Sequence, residues 1–304
     1  MACGGRVSLN ATTDGVNARG KGMGRRPAHE TRRPKLGQNF LADGRAVERI
    51  VDALGDVSQR VVIEIGPGRG ALTSKLAERA GYLMAIEIDR VLGAQLRMKY
   101  AARPNVEIVE GDVLDIDLAR LMRRDRRTSG DIHPGASEKA VVVGNLPYYI
   151  TSPILMRLFR FHEVIGEMVV MVQAEVADRI AAKPGSRDYG LLSATAQLYT
   201  RVEKLFTLPP GAFSPPPKVH STVLRLAVAP QLEKLKVAGA DFEEYLKLSF
   251  GQKRKTLQNN LRERYPPETI RAALQEAGVK ADARAEAIPL AKAAAVFRHL
   301  HGAE

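Results

Sequence analysis

Cysteine occurs once in the 304 residues, at Cys3. A single thiol excludes an internal disulfide and any cysteine-built metal centre. The six histidines are scattered without ligand spacing, so no metal is expected. No apolar run approaches the roughly 20 residues of a membrane span, and the N-terminus lacks a signal-peptide core. These absences favour a reducing cytoplasm and no membrane partner; a basic, hydroxyl-bearing N-terminus would also suit an organellar transit peptide. Acidic residues are in deficit, 34 against 46 Lys and Arg, for a net charge of +12. Such an excess points to an acidic partner, nucleic acid first, with a merely soluble basic protein as the bland alternative. Apolar content of 45% supports a packed core, and 304 residues accommodate one large domain and a small one.

The most informative stretch runs from Val61 to Thr73. Val61-Val62-Ile63-Glu64-Ile65 reads as a buried strand. Gly66, Gly68 and Gly70 break it at alternate positions, and Leu72, Leu76 and Ala77 then fall on one helical face. Strand, glycine turn and helix open a doubly wound α/β sheet, and ligands sit at such turns. Gly66, Gly68 and Ala71 also fit a dinucleotide fingerprint. A second apolar run ends on Glu87 and Asp89, a third on Glu110-Gly111-Asp112, and a fourth, Ala140 to Val143, on Gly144-Asn145-Leu146-Pro147-Tyr148-Tyr149. Glu87 lies roughly 20 residues after the glycines, where an acid binds ribose hydroxyls. A pyrophosphate does not call for the carboxylates Glu64, Glu87, Asp89 and Asp112. S-adenosylmethionine has no phosphate and carries a cation, ribose hydroxyls and an adenine amine, so an acid-lined glycine cleft suits it better.

Asn145-Leu146-Pro147-Tyr148 has the form of the Asn/Asp-Pro-Pro-Tyr motif of amino methyltransferases, with Leu in place of the first Pro. The exocyclic amine of adenine is a poor nucleophile because its lone pair is delocalised into the ring. Two acceptors, the Asn145 side-chain oxygen and the Leu146 main-chain carbonyl, would hold its N–H groups and turn the lone pair toward a methyl sulfonium. Transfer is then an in-line displacement driven by positioning and electrostatics. Tyr148 offers an aromatic face to an extruded base, and Phe213 on the proline loop is placed to close on the other side.

Residues 1–30 lack large apolar side chains and are expected to stay disordered. Residues 31–41 are basic and then mixed, a segment able to fold over the ligand of the following unit or to serve as a helix-entry loop. Residues 117–139 carry five arginines and read as a basic surface excursion. From about Pro230 only helical periodicity remains, including a helix over Lys253–Arg264 with its cations Lys253, Arg254 and Lys255 placed for phosphate. The expected organisation is a tail over 1–30, a Rossmann-like domain over 31–229 and a helical RNA-binding domain over 230–304.

Taken together, LGQNFL (36–41), EIGPGRGALT (64–73), AIEID (85–89), GDVLDID (111–117), NLPYYITSPIL (145–155), VQAEVADRI (172–180), FSPPPKVHST (213–222) and GQKRKTLQNNL (251–261) resemble the bacterial small-subunit ribosomal RNA adenine dimethyltransferases of the KsgA/RsmA type. The resemblance implies a Rossmann-like class I methyltransferase domain with a small all-helical C-terminal domain, and S-adenosylmethionine as donor. It implies N6,N6-dimethylation of two adjacent adenosines near the 3′ end of 16S ribosomal RNA within the assembling 30S subunit. By motif position it implies Asn39 and Leu41 as cofactor contacts from the leading segment and Gly66 under the methionine part. It further implies Glu87 at the ribose, Asp112 at the adenine, Asn145 bridging cofactor and target amine, and Tyr148 and Phe213 as the base clamp. The long tail and the 117–139 insertion depart from the compact family pattern. The related Erm group, which modifies large-subunit RNA, shares most of these motifs; TSPIL and the QKRKTLQNNL segment favour the small-subunit enzymes. A ribosome-assembly factor acting mainly by binding is the alternative from another class. A monomer is the default expectation.

Overall fold

The computed structural model describes residues 39–123 and 139–302. The expected tail over 1–30 and most of the 117–139 excursion lie outside them. A short strand, β1 (Phe40–Leu41), leads into α1 (Gly44–Asp52), whose N-terminus is capped by the Asp43 carboxylate accepting from Arg45 and Ala46. Alternating strands and helices follow: β2 (Val61–Ile65), α2 (Ala71–Arg79), β3 (Tyr82–Glu87), α3 (Arg90–Tyr100), β4 (Val106–Glu110) and α4 (Leu118–Arg123). The chain continues through β5 (Ala140–Asn145), α5 (Thr151–Phe159), β6 (Ile165–Gln173), α6 (Ala174–Ile180), α7 (Leu191–Tyr199), β7 (Thr200–Leu208), β8 (Phe213–Ser214) and β9 (Ser221–Val228).

Seven strands form one sheet in the order β4-β3-β2-β5-β6-β9-β7. The pairs from β4 to β6 are parallel, and β9 runs antiparallel to both β6 and β7. Helices cover both faces, so every residue of β2 is buried. Alternation along the strands sends Ile63, Ile65 and Val142 into one apolar cluster and Val62, Val141 and Val143 into another. The strand order reverses between β2 and β5, which opens a crevice at their carboxyl ends. Gly144 permits that neighbourhood to be tight: a Cβ there would lie 2.6 Å from the Ile65 carbonyl oxygen.

Beyond β9 the chain is helical: α8 (Leu232–Leu235), α9 (Gly239–Ser249), α10 (Leu257–Leu261), α11 (Pro267–Glu276) and α12 (Leu290–His301). Phe242, Tyr245 and Phe297 pack ring against ring, with centroids 5.2 to 5.7 Å apart, and belong to the same buried cluster as Ile63 and Val142. Glu243 is buried, accepts from the Tyr199 hydroxyl at 2.7 Å and pairs with Arg160, which ties α9 to the ends of α5 and α7. The helix expected over 253–264 is only α10: the Thr256 hydroxyl accepts from the Asn259 N–H and starts the helix there, leaving Lys253, Arg254 and Lys255 exposed ahead of it. Part of the expected excursion, 118–123, is α4, with Leu118 and Leu121 buried. Among the described residues no helix is long and apolar enough to cross a membrane.

Candidate active site

The crevice between β2 and β5 opens into a cleft of about 210 Å³ lined by Phe40, Leu41, Glu64, Gly66, Arg69 and Asn145 among others. Three stretches distant in sequence meet there. The leading segment arrives as β1, which pairs antiparallel with β8 of the proline loop, Phe40 opposite Ser214 and Leu41 opposite Phe213. The Phe40 ring lies on the glycine loop: a Cβ on Gly68, whose φ is +57°, would come within 2.9 Å of two ring carbons. The Arg69 guanidinium covers that ring at 4.5 Å. A side chain on residue 68 would therefore both strain the backbone and displace the phenylalanine.

Asn145, at the end of β5, donates from Nδ2 to the main-chain carbonyl of Asn39 at 2.9 Å. A carbonyl can only accept, so this bond fixes the amide and leaves Oδ1 as the uncommitted atom of the group. That oxygen is buried and has no partner among the described residues. Glu64 Oε2, on the same side of the neighbouring strand, is likewise buried and unpartnered. Burial pushes the Glu64 carboxyl up to about 8, and the negative charge of Glu87 adds to the effect. A buried acceptor without a donor costs about 1–3 kcal/mol. Asn145 Oδ1 and the Glu64 carboxyl, which is protonated at neutral pH, are two buried polar groups facing one cleft that a ligand would complete.

Glu87 is 1% exposed, and its two oxygens accept the N–H groups of Gly68 and Asp89, each at 2.9 Å. Its carboxyl lies above the usual range because burial outweighs those bonds. It fastens the glycine loop to the end of β3. Asp89 caps α3, accepting from Val91 and Leu92, so it is not one of the acids aimed at the cleft. Asp112 accepts the Leu114 N–H at 2.8 Å and turns the chain after β4. That turn is held from α5: Arg157 donates to the carbonyls of Val113 at 3.1 Å and Ile116 at 2.8 Å.

Leu146 is buried and donates its N–H to the Met171 carbonyl on β6, seating the Asn145–Tyr148 segment on the sheet edge. The Tyr148 hydroxyl and the Ser221 hydroxyl of β9 hydrogen bond at 2.8 Å. Phe213 departs from expectation. It is 4% exposed and packs in the apolar cluster that includes Leu41, its pairing partner. Strand pairing buries it, so here it anchors the leading segment and offers no open ring face. Sequence reasoning brought Asn39, Leu41, Gly66 and Asn145 to one place, and the structure does so too. It missed Phe40, Arg69, Arg157 and Ser221, whose roles depend on pairings that no local pattern announces.

The family described as "Ribosomal RNA adenine dimethylase" matches residues 29–301. A protein of Koribacter versatilis described as "Ribosomal RNA small subunit methyltransferase A" is 57% identical over 269 residues, which cover 88% of this chain and 94% of that one. A protein of Acidobacterium capsulatum with the same description is 55% identical over 269 residues, covering 88% and 91%. Among solved structures, the 23S rRNA methyltransferase ErmE superposes with a TM-score of 0.59 at 28% identity, covering 86% of this chain and 100% of that chain. A dimethyladenosine transferase from Plasmodium falciparum gives 0.67 at 23% identity, covering 84% and 95%, and supports the class I methyltransferase fold. The chain belongs to the ribosomal RNA adenine dimethylase family.

Proposed function

We propose that the protein transfers methyl groups from S-adenosylmethionine to N6 of two adjacent adenosines near the 3′ end of 16S ribosomal RNA, within the assembling 30S subunit. The observation that carries the reading is the Asn145 amide, whose donor end is spent on Asn39 while its acceptor end waits, buried, over a glycine-lined cleft. The relatives at 55–57% identity are described as small-subunit enzymes, which favours this substrate over the large-subunit RNA of the Erm group.

The residues present fit the donor. At Gly66 nothing lies nearer than 4.0 Å to the position a Cβ would take, which leaves room for a ligand against the loop. Asn145 Oδ1 supplies an acceptor without a partner, the protonated Glu64 carboxyl a second unpaired polar group, and Leu41 and Phe40 apolar cover. When bound, S-adenosylmethionine would supply an electrophilic methyl on a sulfonium. The cofactor contacts assigned are Asn39, Leu41, Gly66, Glu87, Asp112 and Asn145. Asn145 Oδ1 and the Leu146 carbonyl accept from the target amine, hold its lone pair toward the methyl, and so lower the barrier by orientation rather than by covalent catalysis. Tyr148, pinned through its hydroxyl, gives the extruded base a fixed ring.

The helical segment after residue 230 acts as the RNA-binding part, with the exposed cations Lys253, Arg254, Lys255 and Arg262 directed at phosphates. The protein works as a monomer in the cytoplasm. Mass mapping of adenosine methylation in small-subunit RNA, from cells with and without this gene, tests the assignment. Loss of two adjacent dimethyladenosines is the expected result; loss of a mark in large-subunit RNA instead would overturn it.

A further inference from the structure

Tyr149 follows Tyr148 directly but lives in a different environment. Among the described residues the large apolar side chains left exposed are Ile88, Val91, Met98, Tyr149 and Val219, and Tyr149, at 59%, is the aromatic one. Tyr148 and Tyr149 open a single 3₁₀ turn, Tyr148–Ile150. At three residues per turn, successive side chains diverge by roughly 120°. Tyr148 is committed to one side by its bond to Ser221 on β9. Tyr149, one position on, is turned away from that side and left exposed. Partial burial and then the charge of Asp112 lift its hydroxyl above the ordinary tyrosine value.

Two rings so divergent cannot sandwich one base. An adenosine drawn out of its stack to reach Asn145 leaves the neighbouring base with an uncovered face, and that neighbour is the nucleotide nearest the rim. We propose that Tyr149 stacks on the base next to the target adenosine while Tyr148 serves the target itself, so that adjacent tyrosines hold adjacent bases. The inference rests on the RNA adenine reading given above. It makes Tyr149 a positioning residue that favours a purine neighbour, since a purine offers the larger face to stack on.

The test uses the full-length protein and unmethylated small-subunit particles, either natural or reconstituted with uridine in place of the neighbouring adenosine. Tyr149→Ala should raise KM for the particle by about 5-fold or more, as expected for one lost base stack. The KM for S-adenosylmethionine should stay unchanged, and Tyr149→Phe should behave as the wild type. The uridine particle should cost the wild type a similar factor and cost Tyr149→Ala little more. A change confined to the KM for S-adenosylmethionine would overturn the proposal, as would additive losses from protein and RNA changes or no change at all. Failure of the underlying reading looks different: the wild type itself would leave natural particles unmethylated.

Discussion

Asn145 and Asn39, separated by 106 positions, are joined by one hydrogen bond of 2.9 Å from the side-chain amide of the first to the main-chain carbonyl of the second. The leading segment thereby sets the orientation of the residue proposed to hold the target amine. Asn145→Ala removes the acceptor and leaves the Asn39 carbonyl without this donor. On the proposed role, in which the group acts mainly in the transition state, kcat should fall on the order of 100-fold or more, with the melting temperature little changed. Single-turnover methylation with pre-bound donor would check this; an unchanged rate would exclude Asn145 from the chemistry.

Glu64 makes stability depend on pH. Its carboxyl titrates near 8 in the folded protein against an ordinary value of 4.5. The unfolded chain therefore loses this proton first as pH rises. The contribution is fully present below about 4.5, shrinks by about 1.4 kcal/mol per pH unit between the two values, and levels off above the folded value. Glu64→Gln, which keeps the shape without the ionisation, should flatten that decline in thermal melts of the ligand-free protein. Parallel melting curves for the two proteins from pH 5 to pH 8 would refute the assignment.

Gly68 combines left-handed backbone with contact to Phe40. Gly68→Ala should cost about 1–2 kcal/mol from the backbone alone, and the displaced ring should weaken donor binding further. Adding Phe40→Ala should relieve the clash but not the backbone strain. Donor titration by calorimetry alongside denaturant melts separates the two; full recovery of stability in the double variant would show that strain was absent.

Arg157 reaches from α5 to the carbonyls of Val113 and Ile116 and so steadies the turn that carries Asp112. Arg157→Ala leaves both carbonyls short of a donor, a loss of about 2 kcal/mol. If the turn positions the donor's adenine, KM for S-adenosylmethionine should rise while KM for the RNA particle does not. Equal effects on both would mean that the side chain is only structural.

Much of this molecule is written in local pattern. Buried apolar runs at β2, β3 and β5, the glycines between β2 and α2, and the Asn145–Tyr148 segment specify strand, turn and the chemistry proposed through residues adjacent in the chain. Helix starts were less legible, because Thr256 begins α10 through a cap that overrides the continuous helical periodicity before it. The pairing of Phe40 and Leu41 with the proline loop, the burial of Phe213, the hold of Asn39 on Asn145 and the use of Glu87 to fasten the glycine loop had no local signal. The order of amino acids alone determined which side chains the site would draw on, since amide, carboxylate and aromatic chemistry are intrinsic to each residue. Only the tertiary structure decided which of their atoms remain available, because that depends on partners brought close by folding.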